Sequence, residues 1–435
     1  MPSMTDDRPA AQQVAEALGE PGAWKGGPLK WDEAMAARPA GPLPFLATAG
    51  LAERCRAAGI AGDRVPLLAS VADEIARDPV LRAFAWYMHW RVFVAPQGAG
   101  QWHCPSLGRR LGTRAGRFYL LLALDFPERL ASWHRKLGYP REVTAETIQE
   151  IACYEAMHVA GEGVPGIYDG MYEWLSSYLV SPFVRLGRFE YQMREWDGGV
   201  GVFRRDSDGA VVAVAGDAAR VGDDGLLLGD DAPQTSGWTA KRGETAEAFT
   251  GFPIDPAGRI VRREVRLPRP DWRRVLAAGD AVLDLHIPFG GGMDRERVRD
   301  SLKRAAAFFP RYHPDRPVRM LVLTTWFMDP RVPEVLGEES NAARFQRACY
   351  LHPCDPDPDG LWFVLGAKFT EKPLDELPAR TSVQRALAGF LKRGGKWHGG
   401  SMFVLPEDMP ALRENAYRER FAPLAKELGI MGTPG

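Results

Sequence analysis

The stretch 281–293, AVLDLHIPFGGGM, holds the residue types and spacing best suited to chemistry. Apolar and more polar residues alternate up to His286, which predicts a β-strand over 281–287. Three consecutive glycines, Gly290, Gly291 and Gly292, follow, and the pattern after them predicts a helix over 294–309. Backbone N–H groups and the helix dipole favour an anion at such a junction. A phosphate-bearing ligand could therefore bind beside a histidine.

His286 and Asp284 lie two residues apart, so strand geometry places their side chains on one face, about 7 Å apart. An imidazole titrates near neutrality and could accept the proton of an attacking amine. Asp284 would raise its basicity. The alternative is a structural histidine that binds a backbone carbonyl at the end of the strand, and the sequence leaves both interpretations open.

Two further segments offer candidate groups. In VRMLVLTTWFM, residues 318–328, Val322, Thr324 and Trp326 are expected to share one strand face. Thr324 or Thr325 could hydrogen-bond a ligand amide, or the two could be ordinary strand residues at the edge of a core. Tyr350 falls near the end of a helix predicted over 340–351, where its phenol could act as a general acid or simply pack its ring.

Composition narrows the class of protein. A chain of 435 residues predicts two domains, and its net charge of −1 argues against a broad nucleic-acid surface. A local basic cluster suits a small anionic ligand instead; it comprises Arg295, Arg297, Arg299, Lys303 and Arg304. The longest apolar run, 118–124, is too short to span a membrane.

The cysteines favour reduced thiols in a cytoplasmic protein, because their number, five, is odd, their spacing is sparse and the N-terminus does not read as a leader. Cys349, His352 and Cys354 lie close together but lack a fourth ligand at a usable spacing, so no metal site is predicted.

The residue patterns along the chain predict an α+β fold in two domains, residues 1–180 and 181–435. The first reads as helices at 10–18, 31–37, 67–94, 128–137 and 145–160, with Ser70 and Thr144 as candidate caps. Its dense aromatic residues predict a helix-packing core or a wall for an acyl chain. After Pro182, short segments such as GAVVAVAG, DGLLLGDD and LWFVLGAKF indicate antiparallel strands with helices between them.

Four segments together resemble the GNAT-like N-acyltransferases of bacteria, which have a helical N-terminal domain and a GNAT-like C-terminal domain. They are RLGRFEYQM (185–193), LDLHIPFGGGMDRERVRDSLKRAAAFF (283–309), TTWFMDPRVPEVLGEESNAARFQ (324–346) and TSVQRALAGFLKRGGKWHGGSMFVL (381–405). The resemblance implies a mixed, mostly antiparallel sheet with flanking helices that splays open between two central strands, 281–287 and 319–328. The pantetheine arm of an acyl thioester would enter that gap.

The same resemblance implies an N-acyltransferase without a tightly bound cofactor. An amine, in a small molecule or a peptide, would attack the thioester directly, with His286 or a water it orders as base and Tyr350 as a weaker candidate acid. Backbone N–H groups near 287–290 would polarise the carbonyl. The donor-binding residues would be Ile287, Phe289, Gly290, Gly291, Gly292, Met293, Arg295, Thr324, Trp326 and Asn341.

The turn departs from the superfamily pattern Arg/Gln-x-x-Gly-x-Gly/Ala, because its first cationic or amide position is missing. Asp294 also stands where the helix would be capped, which places a carboxylate close to the expected phosphates. Acyl-CoA and an acyl carrier protein, whose phosphopantetheine carries less charge, both remain possible donors. The alternative from another class is a non-catalytic acyl- or pantetheine-binding protein that keeps the fold.

Overall fold

A computed structural model of the chain describes residues 9–20, 30–98, 105–366 and 369–430. The chain divides into two compact units. The first runs through Gln192 and includes Ile287–Gly291, and the second comprises Met193–His286 and the residues from Gly292 on. Packing thus groups residues 181–192 with the preceding helices, while the domain boundary at residue 180 stays a prediction from composition.

The first unit is helical up to residue 179. Its α-helices are α1 Ala11–Ala17, α2 Trp31–Ala36, α3 Leu51–Ala57, α4 Val65–Arg77, α5 Pro79–His89, α6 Gly108–Leu111, α7 Ala115–Ala123, α8 Phe126–Lys136, α9 Arg141–Ile148, α10 Glu150–Glu162 and α11 Asp169–Trp174. Phe84, Tyr87, Tyr172 and Tyr178 are completely buried, which confirms a helix-packing core for these aromatic residues.

Two helices of this unit are shorter than predicted. The predicted helix 67–94 is broken after Arg77, where Asp78 caps α5 by accepting hydrogen bonds from the N–H groups of Val80 and Leu81 at 2.9 and 3.1 Å. The predicted helix 145–160 is likewise divided at Gln149. Ser70 and Thr144 lie inside α4 and α9, so neither is a cap.

A β-hairpin closes the first unit. Strands β1 Phe183–Leu186 and β2 Phe189–Glu195 pair antiparallel through a two-residue loop. The loop begins at Gly187 with a φ of +73°, a conformation that suits a tight hairpin turn. Its second residue is Arg188.

The remaining strands belong to the second unit. They are β3 Gly201–Arg205, β4 Val211–Val214, β5 Arg220–Val221, β6 Trp238–Thr239, β7 Gly243–Glu244, β8 Ala248–Gly251, β9 Pro253–Ile254, β10 Val265–Pro268, β11 Trp272–Leu276, β12 Ala281–His286, β13 Met320–Thr325, β14 Tyr350–His352 and β15 Gly400–Val404. The helices of this unit are α12 Arg295–Tyr312, α13 Val332–Leu336, α14 Asn341–Ala348, α15 Trp362–Leu365, α16 Ser382–Lys392 and α17 Ala416–Glu427.

The main sheet of the second unit has the order β12-β13-β15-β14, with the end of β2 beside β12. β12 and β13 are parallel and are joined through α12, the crossover that a parallel pair requires. β15 pairs antiparallel with both β13 and β14. A second sheet has the order β11-β3-β4-β9. The α+β class and the mixed, mostly antiparallel sheet are therefore confirmed.

α12 forms because its apolar residues recur on one face. Val298, Leu302, Ala305 and Phe309 are buried at helical spacing. Asp294 caps this helix as the sequence suggested, by accepting a hydrogen bond from the N–H of Arg297 at 3.0 Å.

Two predicted strands and the end of one helix were wrong. DGLLLGDD forms turns with one isolated bridge, between Leu227 and Val221. LWFVLGAKF contains the short helix α15, and its residues 367–368 lie outside the described part. The helix predicted over 340–351 ends at Ala348, and Tyr350 begins a strand.

Candidate functional site

The sheet opens between its two parallel strands. The last paired residues of β12 and β13 are Asp284 and Val322. β12 nevertheless continues to His286 and β13 to Thr325, while β13 stays paired with β15 to its end. The two strands therefore separate beyond Asp284, as the resemblance implied. Strand backbone that is no longer paired can hydrogen-bond an extended ligand.

His286 lies at the end of β12, at the mouth of this gap. Burial lowers the pKa of His286, Asp284 raises it, and Arg194 lowers it further. The net direction is downward, so the imidazole is neutral at pH 7 and able to accept a proton. Asp284 does not serve His286 alone, because its carboxylate also pairs with Arg194 at 2.6 Å.

A pocket lies between the first turns of α12, the length of α14 and residues 412–414. Three residues that the resemblance assigned to donor binding, Met293, Arg295 and Asn341, line it together. Arg295 and Asn341 are the first residues of their helices. Because the N-terminal end of a helix carries partial positive charge, two such ends at one pocket favour an anionic ligand.

Side chains add to this positive charge. Arg299 and Arg344 also line the pocket. Arg344 pairs with Glu339 at 2.6 Å, whereas neither Arg295 nor Arg299 has an acidic partner within 4 Å among the described residues. Glu414 is the only carboxylate in the described lining, and it pairs with Arg347 at 3.3 Å. The pocket is therefore cationic. Arg295 and Arg299 belong to the basic cluster that the sequence pointed to, whereas sequence reasoning missed Arg344.

The glycine turn adopts a backbone conformation that favours glycine at two of its positions. Gly290 and Gly291 have φ angles of +77° and +68°, where a side chain would be strained. Ile287 is half-buried and Phe289 is exposed. Within the first unit, the Pro288 carbonyl accepts a hydrogen bond from Nη1 of Arg188 at 3.0 Å. The chain returns to the second unit at Gly292.

The structure separates Thr324 from Trp326. Thr324 is exposed on β13, and its hydroxyl lies 2.7 Å from that of Ser401 on β15. Trp326 lies after the strand, in a 3-10 turn, so it does not continue the face of Val322 and Thr324 as predicted. Its carbonyl accepts a hydrogen bond from Nε1 of Trp397 at 2.9 Å.

Tyr350 has a structural role that contradicts the proposed general acid. It is completely buried in β14, with its ring stacked on Phe403. Its hydroxyl donates to the carbonyl of Ile254 at 2.6 Å and accepts from the N–H of Ala213 at 3.2 Å. Burial also raises the pKa of Tyr350. A phenol committed to two backbone partners in the core has no route to a leaving thiolate.

Within the described residues, no group of histidine, cysteine, aspartate or glutamate side chains could hold a metal ion. None of the helices in the described part is both long and apolar enough to cross a membrane.

Comparison with known families fits this geometry. Residues 183–403 match the GNAT-like C-terminal domain, and residues 49–179 match the N-acyltransferase N-terminal domain. The first match spans half of the chain, and the helical residues before it match the second. The chain therefore belongs to the GNAT-like N-acyltransferase family.

Solved structures share the fold along nearly the whole chain. A mutant acyltransferase in complex with octanoyl-CoA is 23% identical, with a TM-score of 0.61, and the match covers 91% of this chain and 99% of that one. An acyltransferase in complex with decanoyl-CoA and teicoplanin matches with the same values. Another matching acyltransferase structure contains CoA and 10C-teicoplanin. At this identity the likeness shows the fold alone. No curated protein sequence matches the chain.

Proposed function

We propose that the protein transfers an acyl group from acyl-CoA to an amine. The observation that carries this proposal is the separation of β12 from β13 beyond Asp284 and Val322. Because the two strands no longer pair with each other there, the amide groups of a pantetheine arm can hydrogen-bond between them. Family membership supports acyl transfer as the type of reaction.

The cationic pocket favours CoA over a carrier protein as the donor. Arg295, Arg299 and Arg344 can neutralise several phosphate charges, and CoA carries more phosphate than phosphopantetheine does. The missing cation in the glycine turn does not weaken this choice, because α12 and α14 bring further positive charge to the pocket. The solved relatives that hold acyl-CoA or CoA support the same choice.

His286 is the proposed general base. The amine nitrogen attacks the thioester carbonyl, the C–N bond forms, the C–S bond breaks, and the imidazole takes the proton of the amine. Burial suits this role, because it keeps the imidazole neutral at pH 7. The N–H groups of 287–290 remain the proposed carbonyl-polarising groups. An amine acceptor is supported by the N-acyltransferase N-terminal domain that residues 49–179 match.

Calorimetry with octanoyl-CoA tests the proposed donor pocket. Arg299→Ala should weaken binding about 10-fold or more, because a charge-assisted hydrogen bond contributes about 1.5–3 kcal/mol. Arg311→Ala is the matched control, since Arg311 lies at the other end of the same helix and does not line the pocket. Equal affinity in both variants and the wild type would remove the pocket from the donor site.

A further inference from the structure

The glycine turn of the first unit is held by a side chain from a distant part of the chain. Arg188, the second residue of the β1–β2 hairpin loop, is nine-tenths buried. Its Nη1 atom donates to the carbonyl of Pro288 at 3.0 Å. The hairpin and the segment Ile287–Gly291 belong to the same compact unit, so this contact is part of that unit's packing.

The guanidinium also lies against the second glycine of the turn. A Cβ on Gly291 would stand 3.7 Å from Nε of Arg188 and 3.9 Å from its Cζ. Glycine at this position therefore leaves the backbone bare beside a guanidinium whose charge also acts on the buried carboxyl of Glu150. Both Gly290 and Gly291 have positive φ angles, so the turn presents its backbone in a conformation that side chains would disfavour.

We propose that Arg188 positions the glycine turn and supplies the positive charge with which it binds a phosphate group of the acyl-CoA donor. The proposal rests on the proposed function, because it assumes a CoA donor. Two parts of Arg188 act separately: the N–H donor holds the Pro288 carbonyl, and the delocalised charge attracts phosphate at the bare backbone of Gly291.

Two substitutions separate these parts. Arg188→Gln keeps an N–H donor for the Pro288 carbonyl but removes the charge. Arg188→Lys keeps the charge but replaces the planar guanidinium, with its several N–H donors, by a single ammonium group. Arg77→Gln, a change of the same charge at a residue whose side chain is 79% exposed in the same unit, serves as the matched control.

The experiment measures the affinity of the full chain for octanoyl-CoA and for octanoyl-pantetheine, which has the same arm and thioester but no phosphate. Arg188→Gln should weaken octanoyl-CoA binding about 10-fold or more, since charge-assisted contacts to phosphate are the stronger kind. It should change octanoyl-pantetheine binding less than about threefold. Arg188→Lys should retain most of the octanoyl-CoA affinity, and Arg77→Gln should match the wild type.

The outcomes separate this inference from the function on which it rests. Equal losses for both ligands in Arg188→Gln would mean that the side chain only supports the backbone, and an unchanged affinity for octanoyl-CoA would mean that it does neither. Either result overturns the role of Arg188 and leaves the proposed function standing. A wild-type protein that binds neither ligand would overturn both.

Discussion

Two carboxyl groups are buried in the first unit, and we expect them to make the unit less stable as the pH rises. Glu150 on α10 and Glu190 on β2 are each 2% exposed and hydrogen-bond to one another. Glu150 pairs with Arg185 on β1 at 3.3 Å. The other titratable or charged groups that face the pair are Cys153, Tyr154, Tyr178 and Arg188.

Burial raises the pKa of both carboxyls. The pKa of Glu150 rises from 4.5 to about 7, with Arg185 opposing the effect of burial. Burial and the neighbouring charge of Glu150 raise the pKa of Glu190 well above its usual value. Above pH 4.5 these groups ionise in the unfolded chain, whereas in the folded chain their raised pKa values keep them protonated to higher pH. Their contribution to stability is therefore fully present below pH 4.5 and is lost as the pH rises through the folded pKa.

Glu190→Gln isolates one of the two groups. A glutamine amide can donate to Glu150 as a protonated Glu190 does, but it never ionises. Each pH unit over which Glu190 is ionised in the unfolded chain but protonated in the folded one costs the wild type about 1.4 kcal/mol. The variant should gain about that amount for each such pH unit. Burial lowers the pKa of His134 and of His352 to about 4, which gives the opposite slope in both proteins and cancels in the comparison.

Unfolding of the full chain in denaturant at pH 5, 6 and 7, monitored by hydrogen exchange of the amides in α10, measures this difference. The free energy of unfolding of Glu190→Gln, relative to that of the wild type, should rise steadily with pH. Glu155→Gln is the control, since Glu155 lies on the same helix and pairs with Arg64. A constant difference across this pH range would show that Glu190 is ionised in the folded protein, which would refute the raised pKa.

Three other predictions concern the candidate site. His286→Ala should lower kcat by about 10² or more and remove the acidic limb of the pH–rate profile, which the lowered pKa of His286 places below pH 6.5; wild-type turnover in a folded variant would make the histidine structural. Gly291→Val should weaken octanoyl-CoA binding at least about 10-fold, because a β-branched side chain is strained at a φ of +68°, and calorimetry showing wild-type affinity would exclude the turn. Tyr350→Phe should reduce the free energy of unfolding by about 1 kcal/mol while kcat is retained; a selective loss of kcat would restore the acid role.

Local sequence patterns predicted much of the fold because they reflect local physics. The alternation before His286, the glycines after it and the cap at Asp294 each produce their structure from neighbouring residues. The break at Asp78 was also readable, because a capping aspartate followed by Pro79 is a common helix start. The break was missed because the helical spacing of apolar residues continues across Asp78.

Contacts between residues far apart in the chain could not be predicted from the sequence. Arg188 and Pro288 are 100 positions apart, and no spacing rule connects a hairpin loop with a glycine turn. Tyr350 was misplaced for the same reason: helical periodicity continues toward it, but pairing with β15 draws it into a strand. In the pocket, Arg295 was predicted from a basic cluster, whereas Arg344 needed the packing of α14 to be found.

Hydroxylamine tests most directly whether the protein brings an acyl thioester and an amine together. This small amine nucleophile does not depend on the identity of the natural acceptor. Purified full-length protein with octanoyl-CoA and hydroxylamine should form octanoyl hydroxamate and free CoA in equal amounts, faster than the uncatalysed mixture, and His286→Ala should remove most of the acceleration. A protein that binds octanoyl-CoA but forms hydroxamate only at the background rate would be an acyl-CoA-binding protein, and that result would contradict the proposed acyl transfer.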